Sequence, residues 1–386
     1  MVNCFLPLKY LYLRILIRKS SNKLNIVLNK EMQTKSNSKN NIYAIDFFCS
    51  AGGVTCGFKQ AGINVLGGID IDKSCKITYE KNNNAKFLLA DVSNLPKKEV
   101  GKYFKIRRNQ RNLIFVGCSP CQYYTNLKTD KSKSKSSRLL LEDFQDFVEY
   151  YKPGFVFIEN VPGLKTNGYS PLGKFKKFLQ ENRYVYCDGL LNAKYYGVPQ
   201  NRIRYVLLAT RLNSNISLPK ENRINIKTVR EAIGDMIFFP KIDAGYKDNS
   251  DFMHSSAGLS GLNLMRIRNT PKNGGDRRSW ANIPELQLEC YKNHSGHYDV
   301  YGRMKWEKPS PTITTRFCSF SNGRYGHPEQ DRAISLREGA TLQSFPLDYI
   351  FYNYSQGTIA KMIGNAVPPL LAKKIGKTFI QLLHET

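Results

Sequence analysis

The chain has 386 residues, 41% of them hydrophobic and 12% aromatic, a balance that excludes a disordered protein and leaves room for one large domain plus a smaller one. A net charge of +27 makes nucleic acid the first partner to consider, beside a plain Lys/Asn-rich compositional bias. Nine scattered cysteines with one C-x-x-C exclude a disulfide scaffold and a four-cysteine metal site and fit a reducing, cytoplasmic setting, and no run approaches the roughly 18 apolar residues of a membrane helix.

Residues 1–40 carry eight basic side chains and one acid, and residues 1–41 are expected to be a disordered extension, with Met32 as an alternative start. Residues 43–48 then read as a strand, and residues 49–58 as a small-residue turn leading into a short helix. Glycines such as Gly52 and Gly53 let a backbone approach a ligand closely. A second strand over 64–69 ends in Asp70-Ile71-Asp72, where an acid roughly 20 residues past the turn would grip a ribose hydroxyl. Asp91-Val92 closes a third apolar run and offers a carboxylate to an adenine amino group. A complete G-x-G-x-x-G and a Walker lysine are both missing, so an adenosine without a phosphate chain fits best.

The apolar run 113–116 reads as a buried strand ending in Gly117-Cys118-Ser119-Pro120-Cys121-Gln122, the place where open α/β sheets bind ligands. These cysteines admit a redox pair, half a zinc site, a nucleophile or plain packing. The Lys/Ser/Thr-rich stretch 123–137 is a solvated loop or one that closes on phosphates. Leu140, Leu141, Phe144, Phe147, Val148 and Tyr151 space out an amphipathic helix, broken by Pro153-Gly154. The strand 155–158 delivers Glu159, an acid/base candidate or a cap. Arg202 and Arg204 share a face at the start of a strand over 205–209, as site residues or as a surface ladder.

Residues 211–302 are richer in Gly, Asn, Ser and Arg; Arg268, Arg277 and Arg278 suit guanine edges in a major groove, or phosphate, or plain surface. Ser335-x-x-Glu338 is a capping box opening a helix that runs into 343–346. Pro368-Pro369 suit the first turn of a last helix with a core stripe of Leu371, Ile375, Phe379 and Leu382, packed back on the first domain.

In this order the motifs resemble the DNA cytosine-C5 methyltransferases. They are Asp46-Phe47-Phe48 with Gly52-Gly53, Asp70, Asp91, Pro120-Cys121-Gln122, Glu159-Asn160-Val161, Gln200-x-Arg202-x-Arg204, Arg303 through Thr314, and Gly364-Asn365-Ala366-Val367-Pro368-Pro369. They span residues 43 to about 380; the one small departure is Ser50, where the family usually has glycine. The resemblance implies a Rossmann-like α/β sheet with helices on both faces and a smaller target-recognition domain. It divides the chain at 42–210 (catalytic), 211–354 (recognition and return) and 355–386 (completing helix). It implies S-adenosylmethionine held by Phe48, Ser50, Gly52, Gly53, Asp70, Ile71, Asp91, Val92 and Asn365, with Gln122, Arg268, Arg277, Arg278, Arg303 and Thr314 toward DNA.

The chemistry follows from the residue types. Cytosine C5 attacks a methyl group only after a thiolate, from Cys121, adds at C6. A neighbouring cation, Arg202 or Arg204, favours the thiolate, and Glu159 at N3 absorbs the charge pushed onto the ring. The base must first be flipped out of the duplex. The expected partners are double-stranded DNA and, functionally, a cognate restriction endonuclease, with the enzyme a monomer. A transfer-RNA methyltransferase and a non-catalytic DNA-binding protein on the same scaffold are the alternatives; the sizeable region between Arg204 and Arg303 favours DNA over RNA, and intact Cys121, Glu159 and Arg202 favour catalysis.

Overall fold

In the computed structural model, residues 41–120, 139–289, 298–352 and 355–385 are described. Residues 42–386 cluster as one compact unit. Its centre is a seven-stranded sheet: β1 (Tyr43–Phe47), β2 (Asn64–Asp70), β3 (Lys86–Leu89), β4 (Leu113–Gly117), β5 (Phe155–Asn160), β6 (Val185–Asn192) and β7 (Ile203–Thr210), in the order β3-β2-β1-β4-β5-β7-β6. The first five are parallel and β7 runs antiparallel between β5 and β6. The expected strands are present, each within a residue or two, while β6 carries no clean alternation and was not foreseen.

Alternation along the strands sorts side chains to two faces. Ala44, Ile114, Val116, Phe155, Phe157, Val206 and Leu208 face one core, with α1 (Gly53–Ala61) lying on it. Ile45, Phe47, Phe115, Val156, Ile158 and Leu207 face the other, covered by α2 (Lys97–Phe104), α3 (Leu140–Tyr151) and α4 (Leu172–Glu181). Helices therefore cover both faces, as the resemblance implied. The helix over residues 140–151 buries Leu141, Phe144, Phe147, Val148 and Tyr151, the stripe its spacing predicts.

Residues after β7 carry little regular structure but have their own cores. One gathers Ile267, Trp280, Leu286, Tyr301, Phe320 and Ala333. Another joins Met304, Trp306, Ile313, Phe317 and Leu336 to Cys49, Ala51, Cys75 and Tyr79 under the first turn of the sheet. The capping box forms as predicted: Ser335 Oγ accepts from Glu338 N and the Glu338 carboxylate accepts from Ser335 N, opening α5 (Leu336–Leu342). That helix stops at Leu342 rather than continuing to 346.

The chain then returns through α6 (Gln356–Asn365) and α7 (Pro369–His384), which buries Leu371, Ile375, Phe379 and Leu382 on the face that carries α1. Gly57 lets α1 and α7 touch, because a Cβ there would strike the Pro369 carbonyl. No described helix is long and apolar enough to cross a membrane.

Candidate active site

The parallel strands end together on one edge, and the residues singled out above collect there. After β1 the chain makes a tight turn in which Phe48 and Ser50 adopt φ of 61° and 46° and Gly52 a φ of 89°. Serine thus occupies a left-handed position where glycine is the relaxed choice. The glycines of this turn make room for protein rather than for a ligand alone. A Cβ on Gly53 would strike the Val367 carbonyl, and one on Gly52 would collide with Asn83 and crowd Tyr79 and Tyr349. The Tyr349 hydroxyl donates to the Ala51 carbonyl, so residues almost 300 positions later brace the turn.

Asp70, at the end of β2, accepts from Ser50 N and Asp72 N, each at 2.8 Å. Burial pushes its carboxyl up, and those two bonds oppose the shift. Beside it Ile71 stands 68% exposed, an apolar side chain with nothing packed over it. Asp91 caps the turn after β3, accepting from Ser93 N at 3.1 Å and Asn94 Nδ2 at 3.0 Å. Val92 is buried in the core beneath. Asn365, exposed at the end of α6, is brought to this edge because Gly364 packs against the backbone of Thr314 and the following Ala366-Val367 against Gly53. Beneath the turn Asp46 is fully buried; Thr55 Oγ1 donates to its Oδ2 at 2.8 Å and Oδ1 has no partner among the described residues.

At the other half of the edge Glu159 closes β5. The Nε of Arg204 lies 3.2 Å from its Oε1, an ion pair without a well-aligned hydrogen bond. Burial raises the Glu159 carboxyl, and Arg204 and then Arg202 pull it back, leaving it above the usual carboxylate range. Next to it Asn160 turns its amide toward the Ser119 carbonyl at 3.4 Å, while its Oδ1 accepts from Val161 N at 2.7 Å. Asn160 thus links the end of β5 to the segment that leads to Pro120. Cys121 and Gln122 lie outside the described residues. Cys118 is half-buried against the core, as a packing residue would be.

The two arginines of the Gln200-x-Arg202-x-Arg204 pattern have different tasks. Arg202 is buried and donates to the carbonyls of Ile313, Gly364 and Ala366 at 3.0–3.2 Å. These bonds hold the returning chain to the start of β7, while its charge still acts on Glu159. Gln200 works beside it, accepting from Ile313 N and donating to the Leu342 carbonyl. Short-range spacing carried no sign of these partners, which lie more than 100 residues away.

Arg303 is bonded within the region after β7. It is 1% exposed, and all five of its N–H groups are used on the carbonyls of Thr270, His327, Gln330 and Ile267 and on Asp331. Thr314 is half-buried, with its Oγ1 3.1 Å from the Tyr325 hydroxyl. Arg268, Arg277 and Arg278 do reach the surface region. Arg268 lies 4.0 Å from Asp331, and Arg277 and Arg278 both lie over the Tyr298 ring, at 4.8 and 5.0 Å from its centroid.

A mostly parallel sheet with a tight left-handed turn after β1, an acid closing β2 and a buried acid–arginine pair across β5 and β7 makes up an α/β scaffold. The match that gives it a family covers residues 42–381 and is described as C-5 cytosine-specific DNA methylase. The chain belongs to that family. It is similar to the type II methylase M.HgiDII of Herpetosiphon aurantiacus, 39% identical across 88% of this chain and 96% of that one. It also resembles the type II methyltransferase M1.HphI of Haemophilus parahaemolyticus, 31% identical over 88% and 86%. Among solved structures, a putative DNA modification methyltransferase encoded in an E. coli prophage superposes with a TM-score of 0.68 at 21% identity, over 89% of this chain and all of that one.

Proposed function

We propose that the protein is the modification enzyme of a restriction–modification system, transferring a methyl group from S-adenosylmethionine to C5 of a flipped-out cytosine in a specific duplex sequence. The observation that carries this reading is the buried Glu159–Arg204 pair, set beside Asn160 and its contact to the chain leading into Pro120-Cys121. The type II naming of the relatives supports the restriction–modification setting.

The first half of the edge fits the donor. Asp70 keeps carboxylate lone pairs for ribose hydroxyls because its geometry is fixed by two backbone N–H groups, and exposed Ile71 offers an apolar wall for a flat base. Phe48, Ser50, Asp91 and Asn365 complete the binding set around it. Bound there, S-adenosylmethionine supplies an electrophilic methyl group.

Cys121 adds as thiolate to C6, forming the S–C6 bond while the ring electrons move toward C5 and N3. Glu159, whose carboxyl burial shifts upward, donates its hydrogen bond at N3 when protonated and stabilises the charge that arrives there. Arg204 orients that carboxyl and supplies positive charge beside the ring. Once C5 carries the methyl group, a base, water by this reading, takes the C5 proton and the electron pair expels Cys121. A duplex with 5-fluorocytosine at the target blocks that last proton loss. It is expected to leave the protein covalently attached through Cys121, and Cys121→Ser is expected to bind the duplex without attachment or methyl transfer. A fully active Cys121→Ser variant sinks the mechanism.

A further inference from the structure

A cleft of about 370 Å³ opens between the chain leading into β7 and the region beyond it. Asn201 and residues 308–311 line it together with Gly274, Asp276, Arg278, Lys305 and Arg324. Four cationic side chains and a single carboxylate line it. The carboxylate is already neutralised: Asp276 holds Arg278 through Nε and Nη2 at 2.9 and 2.6 Å, and Arg324 lies 3.6 Å away. Arg324 itself is spent on Asp299 and on the carbonyls of Gly274, Gly275 and Arg303.

What remains is a set of unspent donors. Lys305 and Lys308 make no ion pair among the described residues. Lys305 is aimed by its neighbour: Gly274 has φ +108°, and any Cβ there would collide with the lysine stem that runs across it. Arg278 keeps Nη1, because Asp276 takes its other two nitrogens. The third feature is independent of charge. Ser310 is fully buried, its N donates to the Pro199 carbonyl and its carbonyl accepts from Asn201 N, yet its hydroxyl has no partner among the described residues. That oxygen is closed off from solvent, so Ser310 shapes the cleft through its two backbone bonds.

We infer that this cleft lies along the backbone of the bound duplex, with Lys305 and Lys308 each facing a phosphodiester and Arg278 Nη1 as a directed donor. The inference rests on double-stranded DNA being the substrate. Asn201 precedes Arg204 by three residues, so at most about 10 Å of chain separates the seat from the arginine that faces Glu159. That distance corresponds to about three base steps at ~3.4 Å each. The seat fixes where the strand runs and carries no sequence information itself.

The test is a salt titration of duplex binding by the full chain, wild type against Lys305→Ala/Lys308→Ala, on a duplex with the target and one without. Removal of two phosphate contacts is expected to flatten the slope of log K against log salt by about 2 and to weaken binding at low salt tenfold or more, equally on both duplexes. Lys305→Arg/Lys308→Arg should keep the slope, and the single Lys308→Gln variant should lose about 1. Retained S-adenosylmethionine binding by calorimetry reports an intact fold. An unchanged slope in the double alanine variant overturns the inference. So does a result in which inorganic phosphate raises the melting temperature of wild type but not of the double variant while DNA binding is the same in both, since the cleft then holds a free anion. Wild type that binds no duplex defeats the DNA reading instead.

Discussion

The Nη2 of Arg202 lies 3.1 Å from the Ala366 carbonyl, joining the start of β7 to a turn 164 residues later. The same nitrogen donates to Gly364, so one guanidinium holds both ends of the segment that presents Asn365. Arg202→Ala takes a donor from the Ile313 and Gly364 carbonyls, while Ala366 keeps Gln343 Nε2, a loss on the order of 2 kcal/mol or more. Urea unfolding should show that loss, and S-adenosylmethionine affinity should fall with it. Arg204→Ala should lower kcat and leave the unfolding midpoint nearly in place; the reverse ranking would return Arg202 to the chemistry.

Glu159 is expected to act in its protonated form, so the rate should fall as pH rises through its elevated pKa. Burial raises that value and Arg204 opposes the rise. Removing Arg204 therefore moves the alkaline limb of kcat/KM to higher pH while lowering its height. Glu159→Gln should abolish that limb at a cost of about 10²–10⁴ in rate. An alkaline limb that survives in Glu159→Gln belongs to another group.

Asp46, under the turn after β1, has its carboxyl pushed up to about 7 by burial, against the hydrogen bond from Thr55. A folded-state value above the unfolded one, near 4, means the native state holds the proton longer. Stability is then highest below about pH 4 as far as this group is concerned, and declines as pH rises to about 7. The full span is on the order of 4 kcal/mol. Asp46→Asn should remove that decline, so melting temperatures of variant and wild type should diverge between pH 4 and 7. Parallel curves would refute it.

Glu338 shows the opposite sign. Burial alone would raise its carboxyl, but Arg332, paired through two 2.7 Å hydrogen bonds, holds it well below the usual range. Its contribution is present above about pH 4 and is lost as pH falls toward the depressed value. Glu338→Gln leaves Arg332 buried without its counter-charge, at a cost of about 3–5 kcal/mol. The variant should unfold at lower urea, with a weaker acid dependence than wild type.

The strands, the helix over residues 140–151 and the last helix were legible because each buries a face whose period is written locally in the chain. Asp70 and Glu159 were legible for a related reason, as carboxylates that close apolar strands. The bonding of Arg202 and Arg303 was not legible, because a buried arginine and a surface arginine look alike until their acceptors are known, and those acceptors lie 24 to 164 residues away. The insertion of β7 between β5 and β6 escaped for the same reason: β6 exposes residues on both faces, so its position depends on pairing rather than pattern. Lys305 and Ser310 lie inside the Arg303–Thr314 motif, but nothing there shows that their side chains have no partner among the described residues.

The turn after β1 has a consequence for synthesis. Ala51 is bonded by Tyr349, 298 residues on, and Gly53 rests against Val367. A ribosome therefore releases the first strand long before the parts that set its turn exist, and the growing chain carries an unbraced turn until residue 367 has emerged. A chain cut short before that point would carry the whole sheet without the residues that brace its first turn.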